Sequence, residues 1–234
     1  MRTDLLPTIA HELRTPLTAV RTSVGLLLDP ASQPSADQRR TLLERIQRNG
    51  LRMQRLVEDI LDLTRFRAGS VQLQLRRFDA VELAQSAIAS VASLAEKRGQ
   101  RIELTAPARP LWVFADHRRL EQALVNLISN AEKYSPEGAR ISVSVSSIGS
   151  DIHWAVGDQG PGIDVADQAR LFERFFVGRN DRSGATSGVG LGLAITLAIV
   201  QAHGGRIDVL SQLGQGSTFT MVVPSAGPEE HAEQ

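Results

Sequence analysis

The sequence predicts a chain in two parts: an all-α antiparallel helical hairpin, closed into a four-helix bundle by a second copy in a homodimer, followed by an α+β two-layer sandwich. Three observations carry that reading. Up to about residue 66, apolar residues recur at three- and four-residue steps, the spacing of a helical stripe. Beyond Gly69 the pattern changes to short alternating segments with helical ones between them. The composition, 42% hydrophobic with 22% charged and 4% aromatic residues, is that of an ordinary soluble protein with an aliphatic core. At 234 residues the chain suits two domains, given roughly 150 residues per domain.

The elements follow in order. Leu6, Ile9, Leu13, Leu17, Val20, Val24 and Leu27 mark a first long helix, with Pro16 inside it removing one donor and bending it. The stretch Asp29 to Asp37, with two prolines and small polar residues, is a loop. Leu42, Ile46, Met53, Leu56, Ile60 and Leu63 mark a second long helix, antiparallel to the first after so short a connection. Two such helices carry more apolar stripe than they can cover mutually, which is why a symmetric dimer is expected. Strands are expected at Val71–Leu75, Arg101–Thr105, Leu111–Phe114, Ile141–Val145, Ile152–Val156, Ile207–Leu210 and Thr218–Val223. Asp79 with Glu82, and Asp116 ahead of Leu120, read as helix starts. The expected domains are residues 1–68, which would dimerise, and 69–225, with 226–234 a frayed tail.

Charge and cysteine narrow the partners. Lysine plus arginine equal aspartate plus glutamate at 26 each, so no basic field draws the chain to nucleic acid or an anionic membrane. No cysteine is present, which removes disulfides and thiolate chemistry and suits a cytoplasmic setting. No apolar run approaches the ~20 residues needed to span a bilayer, so no direct membrane contact is expected here. The chain starts one turn before a motif-bearing helix, and sensing or membrane-anchoring segments are expected before Met1.

Four constellations carry chemistry. In His11-Glu12-Leu13-Arg14-Thr15-Pro16-Leu17, His11 lies off the apolar stripe, and Glu12 can hold or deprotonate one ring nitrogen while the other attacks. Taken alone, such a histidine is more often an incidental surface residue. A zinc-protease reading fails because Thr15 stands where a second histidine is required. On the helix Asn126 to Tyr134, positions Asn126, Asn130, Lys133 and Tyr134 share one face; amide oxygens suit Mg²⁺ and the ammonium suits phosphate. Asp158-Gln159-Gly160-Pro161-Gly162 follows a strand, where a carboxylate can accept from an exocyclic amine such as that of adenine, though the same residues make an ordinary turn. The run Gly184 to Leu193 brings glycines to a helix start, as anion binding favours, and the stretch Val177 to Gly190 reads as a lid or a simple flexible loop.

Together these segments resemble, in order and spacing over residues 5 to 224, the sensor histidine kinases of two-component systems. HELRTPL is similar to the family's phosphoacceptor box, NLISNAEKY to its asparagine box, DQGPGI to its first glycine box, LFERFF to its phenylalanine box and GVGLGL to its second glycine box. The resemblance implies a dimeric bundle carrying His11 and an ATP-binding domain of the Bergerat fold. It implies that ATP phosphorylates His11, with Glu12 assisting, and that the phosphoryl group passes to an aspartate of a response regulator receiver domain. Thr15 matches the place from which such kinases orient water to dephosphorylate that partner. Asp158 is implied to recognise adenine, Asn126 and Asn130 to hold Mg²⁺, and Lys133 and Tyr134 to face the phosphates. Gly160, Gly162, Ile163, Phe172, Arg179, Gly188, Gly190, Leu191, Gly192, Leu193 and Thr218 complete the implied ATP site. Related ATPases carry a water-activating glutamate where this chain has Asn126, so slow hydrolysis is implied. Val177 and Val189 depart from the family's usual arginine and threonine. A Bergerat-type ATPase without histidine transfer and a kinase-dead dimeric scaffold are the rival readings.

Overall fold

The computed structural model describes residues 5–29, 31–67, 72–176, 178 and 190–225. The chain divides into two compact units, Met1–Thr64 and Arg65–Gln234. In the first, α1 (Leu5–Leu28) continues through Pro16, and α2 (Ala36–Arg67) follows a short loop. The helix begins at Ala36, before the loop's expected end at Asp37. Ser35 and Gln38 cap it reciprocally: Gln38 N–H donates to Ser35 Oγ at 3.3 Å, and Ser35 N–H to Gln38 Oε1 at 2.8 Å. Glu12 and Arg52 pair at 3.8 Å from opposite sides of the loop, which fixes the helices as antiparallel. Leu56 and Leu63 are buried, whereas Leu17, Val24, Leu28, Leu43, Val57 and Leu61 are exposed, so each helix keeps a second apolar surface uncovered within one copy.

The second unit opens with β1 (Arg76–Asp79), α3 (Ala80–Lys97), β2 (Arg101–Thr105), β3 (Trp112–Ala115) and α4 (His117–Tyr134). It closes with β4 (Arg140–Ile148), β5 (Asp151–Gly157), α5 (Val165–Gln168), α6 (Gly192–Ala202), β6 (Arg206–Gln212) and β7 (Gly216–Pro224). The expected strand at Val71–Leu75 is not there: residues 72–75 form none, and Val71 lies outside the described residues. A strand needs a partner, and β3 supplies one only to Arg76–Asp79, with Phe78 opposite Val113. The other strands fall where expected, most extended by a residue or more. They form a mixed sheet in the order β2-β4-β5-β7-β6, in which β2 and β4 are parallel and the remaining neighbours antiparallel.

Strand alternation sends Ile141, Val143, Ile152, Trp154, Val156, Met221 and Val223 to one buried face. Against it lie the buried stripes of α3, α4 and α6, including Leu83, Leu120, Leu124, Ile128 and Ile199. Trp154 is fully buried and donates from Nε1 to Ala80 O at 2.9 Å. Two aspartates start helices as their sequence positions predict: Asp79 accepts from Val81 N–H, and Asp116 from Arg119 N–H. Among the described residues no helix is long and apolar enough to cross a membrane.

His203 joins α6 to α4. Its Nε2 lies 3.0 Å from the donating Asp116 N–H, so that nitrogen carries no proton, and Nδ1–H donates to Ile199 O at 2.8 Å. The ring is 1% exposed, and burial lowers its pKa against the smaller opposing pull of the Ile199 carbonyl and Asp116. A lowered folded-state pKa means the unfolded chain binds the proton more readily. Stability from this group is therefore present above the unfolded value of about 6.5 and is lost as pH falls below it. We expect the melting temperature of the second unit to drop between about pH 7 and pH 5, and the drop to shrink in His203→Ala. An identical slope in that variant removes His203 as the cause.

Candidate functional site

The candidate residues fall in both units. In the first, His11 is exposed on α1, and its ring makes no hydrogen bond among the described residues. Thr15, one turn on, is also exposed, and its hydroxyl donates back to His11 O at 3.4 Å. Glu12 is half-buried and shares its carboxylate with Arg52. Arg52 stands in no short motif of the sequence, because only the hairpin brings it to α1.

In the second unit α4 is the organising element. Its buried stripe fixes the rotation of the helix, and Asn126, Asn130 and Lys133 follow at steps of four and three on a partly exposed side. Asn126 Nδ2 donates to Thr196 Oγ1 at 2.8 Å, and the Thr196 hydroxyl donates to Gly192 O at 3.0 Å. Because the single proton of Thr196 is used on Gly192, its oxygen can only accept from Asn126, which fixes the amide orientation. Asn126 Oδ1 accepts from no donor among the described residues. A Cβ on Gly192 would fall 2.3 Å from it, so the side chain seats only because Gly192 has none. The Asn130 side chain makes no hydrogen bond among the described residues. Lys133 Nζ donates to Tyr134 Oη at 2.9 Å and lies 4.4 Å over that ring.

Asp158 follows β5 directly. Its Oδ1 accepts from Gly160 N–H at 2.7 Å and Ser217 N–H at 3.2 Å, while Oδ2 accepts from no described residue. Burial raises its pKa, and the two backbone donors oppose that rise. The loop after it is fixed on the β6–β7 hairpin: Gly214 N–H donates to Pro161 O at 2.7 Å, and Ile163 N–H to Ser211 Oγ at 2.8 Å. Gly162 packs against the Gln212 carbonyl. Phe172 is half-buried, and Phe175 N–H donates to Gly190 O at 2.9 Å, so the aromatic segment meets the start of Gly190-Leu191-Gly192-Leu193. Leu191 is buried and Leu193 half-buried at the beginning of α6. Arg179, Gly188 and the rest of the expected lid apart from Gly178 and Gly190 lie outside the described residues.

Thr218 is not beside Asp158. It pairs with Gly157, across from Ser142, on the sheet face turned away from the helices. The neighbour of Asp158 is Ser217, on the helix-covered face, whose Oγ lies 2.9 Å from Ser211 Oγ. Strand parity carried the signal: Ser217 alternates with buried Phe219, Met221 and Val223, and Thr218 does not. Thr196 had a weaker one, as a polar residue in the otherwise apolar helix GLAITLAIVQA.

Residues 1–69 match the family of His Kinase A (phospho-acceptor) domains, and residues 115–227 the family of histidine kinase-, DNA gyrase B-, and HSP90-like ATPases. Over 233 residues the chain is 35% identical to the sensor-like histidine kinase SenX3 of Mycobacterium tuberculosis, covering 100% of this chain and 56% of that protein. The chain thus spans about half the length of this relative. The Acinetobacter baumannii histidine kinase AdeS aligns with a TM-score of 0.73 at 28% identity over 92% of this chain and 98% of that one. Full-length ShkA in complex with AMPPNP aligns at 0.71 with 31% identity, over 95% of this chain and 46% of that one.

Proposed function

Because this chain belongs to the sensor histidine kinases of two-component systems, we propose that it phosphorylates its own His11 from ATP and hands the group to an aspartate of a response regulator receiver domain. The observation that carries the reading is the convergence of Asn126, Asn130 and Lys133 on α4 with the Asp158 carboxylate, whose loop packs on the end of that helix through Gly160 and Tyr134 O. Asp158 Oδ2 accepts a hydrogen bond from the adenine amine. Lys133 neutralises phosphate charge, with Tyr134 beside it. A nitrogen of His11 then forms a bond to the γ-phosphorus as the bond to the ADP oxygen breaks, and Glu12 takes the displaced ring proton. The transition state is loose, so positioning and charge neutralisation are most of what the protein supplies.

The residues present fit Mg²⁺: two neutral amide side chains one turn apart, with Asn126 Oδ1 and the Asn130 amide bonded to no partner among the described residues. Bound there, Mg²⁺ supplies neutralisation of the phosphate oxygens. Asn126, an amide, is a poor general base, so hydrolysis by water stays slow. Two copies, joined through the exposed apolar stripes of α1 and α2, form the working unit, and the protein acts in the cytoplasm.

Incubation with γ-labelled ATP and Mg²⁺ tests the reading. The chain is expected to become labelled in an acid-labile, base-stable form, as a phosphorus–nitrogen bond requires; absence of label, or acid-stable label, overturns it. Gly192→Ala gives a separate check of the α4 face. Gly192 opens α6, where alanine gains less than the about 1 kcal/mol of a helix interior, and that gain is set against the Asn126–Thr196 bond the methyl disturbs, so the fold should be retained with a small change in stability. The added methyl displaces Asn126, and Mg²⁺-dependent nucleotide affinity should fall by on the order of tenfold. Unchanged affinity in a calorimetric titration removes Asn126 from that role.

A further inference from the structure

The last turn of α4 carries Lys133 and Tyr134, and its carbonyls form the negative end of an 18-residue helix. Left bare, that end would fray and oppose an anionic ligand. Pro136, just beyond the cap, has no N–H to return to it. Ser135 N–H satisfies Ala131 O at 3.0 Å. Most of the other acceptors are met by two side chains from the turn between α3 and β2, more than thirty residues earlier in the chain.

Arg98 Nη1 donates to Glu132 O, reaches Lys133 O at 3.3 Å and pairs with Glu132 Oε1 at 3.1 Å, while Nη2 donates to Ser135 O at 3.0 Å. Gln100, 4% exposed, directs Nε2 at Glu132 O, Ser135 O and Pro136 O at 3.0, 3.2 and 3.1 Å. Its Oε1 is buried and has no hydrogen-bond partner among the described residues. The two turns are also joined by backbone, Gly138 N–H donating to Arg98 O at 3.0 Å. On the other side of the same turn, a Cβ on Gly160 would fall 2.9 Å from Tyr134 O. The end of α4 is therefore gripped between the α3–β2 turn and the Asp158 loop.

We infer that Arg98, supported by Gln100, is a positioning residue for phosphate binding. It fixes Lys133 and Tyr134 through the carbonyls of their turn and cancels the helix-end charge that would otherwise repel the nucleotide. The inference rests on the nucleotide-site reading given above. A guanidinium serves because its fork reaches several carbonyls at once, which a lysine ammonium cannot do.

The test measures the Kd for a non-hydrolysable ATP analogue with Mg²⁺, the KM and kcat of His11 phosphorylation, and the melting temperature without nucleotide, in wild type, Arg98→Ala and Arg98→Lys. Arg98→Ala should raise Kd and KM on the order of tenfold with kcat at saturation little changed, and Arg98→Lys should recover part of the loss. A purely structural role would lower the melting temperature and leave Kd alone. Wild-type Kd in folded Arg98→Ala overturns the inference alone. If Arg98→Ala does not fold, Arg98→Lys decides: weaker binding upholds the inference, and unchanged binding overturns it. A wild-type chain that binds no nucleotide overturns the kinase reading and this inference together.

Discussion

A chain carrying His11→Gln is expected to take up no acid-labile phosphoryl group from γ-labelled ATP while binding nucleotide as tightly as the parent. His11 is exposed, and its ring is tied to nothing described in the structure, so glutamine should leave the hairpin intact. What disappears is the nucleophile: a neutral imidazole nitrogen offers a lone pair, whereas an amide nitrogen has delocalised its own. The loss should be complete, because ATP, Lys133 and the α4 amides can position the γ-phosphoryl but have nothing to give it to. Label equal to wild type would falsify the assignment of His11, and label lost together with nucleotide binding would point to damage in the second unit.

Asp158→Asn should weaken adenine nucleotide binding by about a hundredfold or more with the fold retained. The asparagine oxygen can still accept from Gly160 and Ser217, the two bonds that hold the loop. Its amino group then stands where Oδ2 was, a donor facing the donor amine of adenine. A charge-assisted bond worth about 1.5–3 kcal/mol is replaced by an unpaired pair of donors. Because burial already disfavours the Asp158 charge, the neutral amide costs the folded state little. Guanine, with an acceptor at the corresponding position, should be discriminated against less strongly. An Asp158→Asn protein that binds ATP at wild-type affinity removes this residue from adenine recognition.

The parts of the fold legible in the sequence are those set by local chemistry. Asp79 and Asp116 announce their helices because a carboxylate that accepts from its own first turn is a local device. Ser35 and Gln38 are equally local, but the intervening Asp37 drew the helix start too late. The alternation in VQLQL reads as a strand as well as RRFD does; only pairing with β3 chooses between them, and pairing is a long-range property. The same division runs through the site. His11, Asn126, Asn130 and Asp158 stand in short motifs, whereas Arg52, Thr196, Arg98 and Gln100 acquire meaning from residues tens of positions away. Ser217 lies between these cases, legible from strand parity and obscured by a neighbouring threonine.

The bond from Trp154 to Ala80 has an experimental use. The chain has two tryptophans and one tyrosine, at positions 112, 154 and 134, all in the second unit. Trp154 is fully buried and Trp112 is 50% exposed. The red shift of tryptophan emission on denaturation will therefore come chiefly from Trp154 leaving its apolar surroundings. Intrinsic fluorescence is blind to melting of the helical hairpin, whereas far-ultraviolet circular dichroism at 222 nm is dominated by helix and registers both units. Recording the two signals in one titration separates the unfolding of the nucleotide-site unit from that of the histidine-bearing one without labels or truncation.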